Sequence, residues 1–103
     1  MEPLSRVTEA TVAVLEILSQ STEPCWGLLI IKASGKPAGS VYPILDRLES
    51  SGWVTSSWED DPTRTGPRRR YYELTEGGAT AAAAAIRKLR APAAAASIRA
   101  VTA

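Results

Sequence analysis

Between Thr8 and Gln20 apolar residues recur at helical spacing. Ala10, Ala13, Val14, Leu15, Ile17 and Leu18 cover more than half of a helical wheel, while Glu9, Glu16 and Gln20 share a narrow polar face. The pattern predicts a helix over 8–20 capped by Thr8, with Thr11 as the alternative start. So wide a stripe has two explanations: a helix central to one chain, or a helix facing its own core and a second subunit. Ser21 to Pro24 breaks the pattern, and CWGLLIIKAS, residues 25–34, reads as a short second helix ending near Gly35.

Lys36-Pro37 opens a third helix, since proline suits a first turn. Over PAGSVYPILDRLESSG it places Val41, Ile44, Leu45 and Leu48 on one face, with Gly52 in the terminating position. The other side gathers Gly39, Ser40, Pro43, Asp46, Arg47 and Ser50, with Tyr42 at the edge. Small residues near the N-terminal end and one long donor in the middle suit close approach to DNA. Pro43 removes a backbone donor and is expected to disturb the turn behind it.

Two strand-like arms follow, WVTSSWE and RRRYYELT, joined by DDPTRTGP, which is too long for a two-residue turn and too rich in Pro, Gly, Asp and Thr for a strand. The reading is a hairpin with an extended, mobile tip. Arg70, Tyr72 and Leu74 share one face of the second arm, and Arg69 and Tyr71 the other. Leu74 and Tyr72 are expected to pack on the helices with Val54. The Arg68–Arg70 run is expected to stay unburied, because no adjacent acidic set pairs three guanidinium groups. More than half of the residues from Ala79 to Ala103 are alanine. They read as a helix with Ala82, Ile86, Leu89 and Ala93 on one side and Arg87, Lys88 and Arg90 near an end set by Pro92.

Composition narrows the function. A chain of 103 residues fits one domain with a small core, and 45% hydrophobic with 22% charged residues is a globular balance. No apolar run reaches the roughly 20 residues that span a bilayer, and MEPLSRVTEA lacks the order of a signal peptide, so the expectation is cytoplasmic. With no histidine and one cysteine, Cys25, the chain lacks the usual metal ligands and the commonest acid–base side chain. Neither enzyme activity nor a cofactor is expected. Glu59, Asp60 and Asp61 read as a solvated loop tip, and Gly77-Gly78 lacks the context of a phosphate-binding loop. A net charge of only +1 makes the local cluster Arg64, Arg68, Arg69 and Arg70 informative, because phosphate contact rewards such clustering.

Helix, helix, turn, helix, hairpin is the order of a winged helix-turn-helix, an α+β and mainly helical fold. The words SGKPAGSVYPILDRLESSGWV and GPRRRYYELTEGG resemble the PadR-type winged-helix transcriptional regulators, a likeness spanning roughly residues 8–78. The resemblance implies a dimeric, usually repressing regulator of double-stranded DNA. It puts Ser40, Tyr42 and Arg47 on the recognition helix and Arg68 to Arg70 on the wing; Lys36 and Arg64 join the candidate DNA-binding set. Residues 1–75 would form the DNA-binding domain and 76–103 a C-terminal dimerisation helix, with Val14, Ile17, Leu18, Ala82, Ile86 and Leu89 at the interface. The alternative for the tail is a helix folded back on its own domain. A twofold dimer implies a pseudo-palindromic site. Some relatives bind flat aromatic ligands, but here no aromatic residue follows Tyr72, and Trp26, Trp53 and Trp58 are explained as core or wing packing, so a small-molecule inducer is weakly supported. The competing class is a winged-helix module for protein contacts.

Overall fold

Thr8 starts the first helix as its composition asks: its hydroxyl accepts from Thr11 N at 3.2 Å, satisfying a backbone donor of the opening turn. The computed structural model describes residues 3, 4 and 7–102, with side chains as far as Arg90. In chain order the elements are α1 Glu9–Gln20, β1 Cys25–Trp26, α2 Gly27–Ser34, α3 Ala38–Ser50, β2 Val54–Trp58, β3 Arg70–Leu74 and α4 Glu76–Thr102. The strands form an antiparallel sheet in the order β1-β3-β2. This is the α+β, mainly helical winged-helix architecture.

Three local expectations need correction. Cys25 and Trp26 do not begin the second helix but pair with Tyr72 and Tyr71 as β1, because β3 offers a free edge there and burial of Cys25 rewards the pairing. Pro43 leaves α3 continuous from Ala38 to Ser50. Its missing donor would have met Gly39, and both residues are exposed, so only one bond on the solvent side is lost. Likewise α4 runs past Pro92 to Thr102, carried by alanines on both sides of the proline.

The wide stripe of α1 is used within one chain. Val12, Val14 and Leu15 are wholly buried and Leu18 nearly so, because α2, α3, β3 and α4 all pack around this helix. Ile30, Val41, Ile44, Leu45, Leu48, Trp53, Val54, Tyr72 and Ala82 complete the core. Val14, Leu18 and Ala82 are thus enclosed by their own chain and present no side chain to a second subunit, while Ile17 and Ile86 are half-buried and Leu89 is exposed. The start of α4 folds back, as the alternative for the tail allowed. Arg90 fastens it to the polar edge of α1 with bonds to Glu9 at 2.8 and 3.2 Å and a further one to Glu16.

Two junctions fix α3 and the hairpin to this core. At the end of α3, Gly52 takes φ 82°, and Trp53 N donates to Leu48 O at 2.8 Å while Gly52 N donates to Glu49 O at 3.1 Å. That is a Schellman ending, which needs the left-handed conformation glycine adopts freely. At the start of α4, the Thr75 hydroxyl donates to Gly52 O and accepts from Gly78 N, each at 2.9 Å, tying the helix to the same turn. Thr75→Val keeps the shape and removes both bonds; a loss of about 1–2 kcal/mol is expected. Urea denaturation reads it directly, and an unchanged midpoint would show that the cap contributes nothing.

Candidate nucleic-acid interface

The turn between α2 and α3 presents the second of these helices to solvent. Gly35 closes α2 in the left-handed conformation at φ 71°. Ser34 then stiffens the turn, its hydroxyl donating to Ile31 O at 3.2 Å and accepting from Lys36 N at 3.1 Å. With Val41, Ile44, Leu45 and Leu48 in the core, the opposite face of α3 must point outward, and Gly39, Pro43, Asp46, Arg47 and Ser50 are all exposed. Tyr42 is 41% exposed and lies across the first turn of α2; a Cβ on Gly27 would stand 3.0 Å from its Cε1. Among the described residues, the side chains of Lys36, Ser40, Tyr42 and Arg47 make no hydrogen bond or ion pair. Neither Asp46 nor Glu49 claims Arg47. The result is a row of free donors along α3 and the turn before it.

The wing is different, for its arginines are largely engaged. Arg70 Nη2 pairs with Glu49 Oε1 at 3.0 Å and bonds Ser56 Oγ at 2.8 Å, while Ser56 donates in turn to Glu49. Arg69 lays its guanidinium 3.9 Å from the ring centroid of Trp26, and its Nε is buried without a hydrogen-bond partner. Arg64 pairs with Glu59 at 2.5 Å and also reaches the Thr65 and Pro67 carbonyls. Arg68 alone of the run is exposed, and among the described residues it is held by Nε to Glu59 O at 3.2 Å and by the Trp58 ring 5.7 Å away. The expectation that the run stays unburied therefore fails for Arg69 and Arg70, which are half-buried. An aromatic face and a carboxylate–hydroxyl pair replace the missing acidic neighbours.

The loop tip is braced as well. Glu59 is engaged by Arg64, with its side chain only 10% exposed, so it is not part of a solvated acidic tip. Asp61 accepts from the Thr63 hydroxyl at 2.6 Å and from Thr63 N at 3.0 Å. The hydroxyl bond, above all, holds the Asp61 carboxyl below its ordinary value. A depressed carboxylate supports its turn above its unfolded pKa and gives up that support as pH falls through the folded one, so acid loosens the tip.

Sequence reasoning placed the exposed face of α3 but missed Glu49, Ser56, Trp26 and Glu59, the residues that hold the wing arginines. Only Glu59 carried a signal, an acid five residues from Arg64 across a turn-rich segment. Of the three tryptophans, Trp53 lies in the core and Trp26 is covered by Arg69, whereas Trp58 is 52% exposed.

A helix-turn-helix that presents free donors beside an arginine-bearing two-stranded arm defines a winged helix-turn-helix of the DNA-binding class. The model of the transcriptional regulator PadR-like family matches residues 14–84, and the chain belongs to that family of DNA-binding transcriptional regulators, not to a family of enzymes. Among solved structures it is similar to a PadR family transcription regulator from Clostridium difficile, with 25% identity and a TM-score of 0.67 over 81% of this chain and 88% of that one. A PadR-like transcription factor from Bacteroides fragilis has 22% identity and a TM-score of 0.64, over 84% and 85% of the two chains. A mutant of MarR from Escherichia coli has 25% identity and a TM-score of 0.65, over 82% of this chain and 58% of that one. No curated protein matches the sequence.

Proposed function

We propose that this regulator reads a specific double-stranded DNA sequence as a twofold dimer and acts as a cytoplasmic repressor. The observation that carries the reading is the set of uncommitted donors Ser40, Tyr42 and Arg47 on α3, with Lys36 in the turn just before it, presented by a helix whose other face is core. Helices inserted in the major groove need this combination of rigid backbone and unsatisfied side-chain ends. Arg68 on the wing supplies a phosphate contact and Arg69 adds charge from a more restrained position, while Arg64 and Arg70 stay in the candidate set but are held in ion pairs. Residues 1–75 are assigned to reading DNA and 76–103 to assembly. Two copies related by a twofold axis would read a pseudo-palindrome with half-sites about one helical turn apart, or a multiple of that spacing. Titrating the protein against random-sequence duplex at several salt concentrations tests the reading. Salt-sensitive binding supports it; no binding at low salt returns the fold to the protein-contact class.

Assembly has its own test. With Val14, Leu18 and Ala82 enclosed, the dimer surface is assigned to Leu89, which shares a depression with Leu4, Val7, Ala85 and Lys88, and to the half-buried Ile17 and Ile86. Leu89 is 39% exposed, so Leu89→Glu leaves the fold intact and places a charge in the interface. The expected native mass is that of a dimer for the parent and a monomer for the variant at micromolar concentration. A monomeric parent overturns the assignment.

A further inference from the structure

A wing with four arginines looks built for indiscriminate phosphate binding, yet two of them are paired with carboxylates and a third is stacked on a tryptophan. The pairing of Arg70 differs in kind from that of Arg64. Glu59 and Arg64 belong to the same loop, whereas Glu49 is on α3, two residues beyond Arg47, and reaches across to Ser56 on β2 and Arg70 on β3. Removing a cation from the solvent side and fixing the wing against the recognition helix are thus done by one carboxylate.

We infer that Glu49 is a specificity-determining residue: it holds Arg70 back from sequence-independent phosphate contact and sets the wing's orientation to α3. The inference rests on the DNA-binding function proposed above. Sequence-independent affinity comes almost entirely from cations that neutralise phosphates, so each arginine kept in an internal pair lowers binding to arbitrary duplex. Affinity for a specific site depends also on base contacts from α3, which a wing locked to that helix helps to register. Specificity is the ratio of the two affinities, so a carboxylate that lowers the first and preserves the second raises it. The side chains of the pair are 39% and 34% exposed, so phosphate can compete for Arg70 once Glu49 is removed.

The test uses the full chain, its Glu49→Gln, Glu49→Asp and Arg70→Gln variants, and the Glu49→Gln/Arg70→Gln double variant. Each is titrated against random-sequence duplex across salt concentrations. Glu49→Gln keeps an acceptor for the Ser56 hydroxyl and lacks the charge that holds Arg70. It is expected to bind several-fold more tightly at low salt, with a log–log salt slope steeper by about 0.9, the value of one added phosphate contact. Glu49→Asp, too short to span to Arg70, is expected to steepen the slope at unchanged net charge. In the Arg70→Gln background, Glu49→Gln is expected to add nothing. Equal gains in both backgrounds would show that bulk charge alone matters and would overturn the inference, as would an unchanged slope in both Glu49 single variants. If the parent binds no duplex, the DNA-binding reading itself falls; if it binds and the Glu49 variants match it, only this inference does.

Discussion

Replacing Gly78 by alanine is expected to destabilise the chain by at least about 3 kcal/mol, a large part of the 5–15 kcal/mol or so that holds a domain of this size together. An ideal Cβ at this position would lie 1.9 Å from the carbonyl oxygen of Trp53 and 2.7 Å from its carbon. Both are backbone atoms, so no side-chain rotation relieves the clash. Nor can the carbonyl turn away freely, because it accepts from Thr75 N at 2.9 Å and from the Thr75 hydroxyl at 3.3 Å. To make room, α4 would have to lift from the start of the hairpin, withdrawing Ala82 from the core. Gly39→Ala is the matched control: nothing lies within 4 Å of its Cβ, and inside α3 alanine is favoured by roughly 0.5–1 kcal/mol. Chemical denaturation should move the two midpoints in opposite directions. A Gly78→Ala midpoint equal to the parent's would mean that α4 does not cross Trp53 as closely as described.

Arg47→Ala is expected to remove about 1–3 kcal/mol of binding to the operator while leaving random-sequence binding nearly unchanged. Among the described residues its guanidinium makes no ion pair, and its Cα is fixed by a helix packed through Val41, Leu45 and Leu48, which is what a bidentate contact to guanine requires. Arg68→Ala should behave otherwise, weakening operator and random duplex alike and flattening the salt dependence by roughly 0.9 in log–log slope. Arg68 is the better choice for this role than Arg69, whose guanidinium is stacked on Trp26 and whose loss would disturb packing as well as charge. Equal losses for Arg47→Ala on both duplexes would reduce it to a phosphate contact and pass base reading to Ser40 and Tyr42.

What the sequence made legible was what depends on neighbours along the chain. Thr8 caps α1, Gly35 and Gly52 end α2 and α3, and the alternation over Arg70–Leu74 turns Tyr72 inward, each through contacts within a few residues. β1 escaped because two residues have no period; they become a strand only where β3 supplies partners. The width of the α1 stripe was visible but its cause was not, since four elements arriving from later in the chain share that helix. The candidate site divides the same way. The open face of α3 followed from helical geometry, whereas the fate of the wing arginines depended on Glu49 and Trp26, which meet Arg70 and Arg69 only after the sheet and α3 have docked.

Whether the free donors of α3 read a DNA sequence is decided by selecting ligands for the full chain from a random duplex pool. Enrichment of one pseudo-palindromic sequence is expected, with half-sites about one helical turn or a multiple of it apart, and loss of that enrichment in Arg47→Ala. A pool recovered without any preferred sequence would contradict base reading by α3.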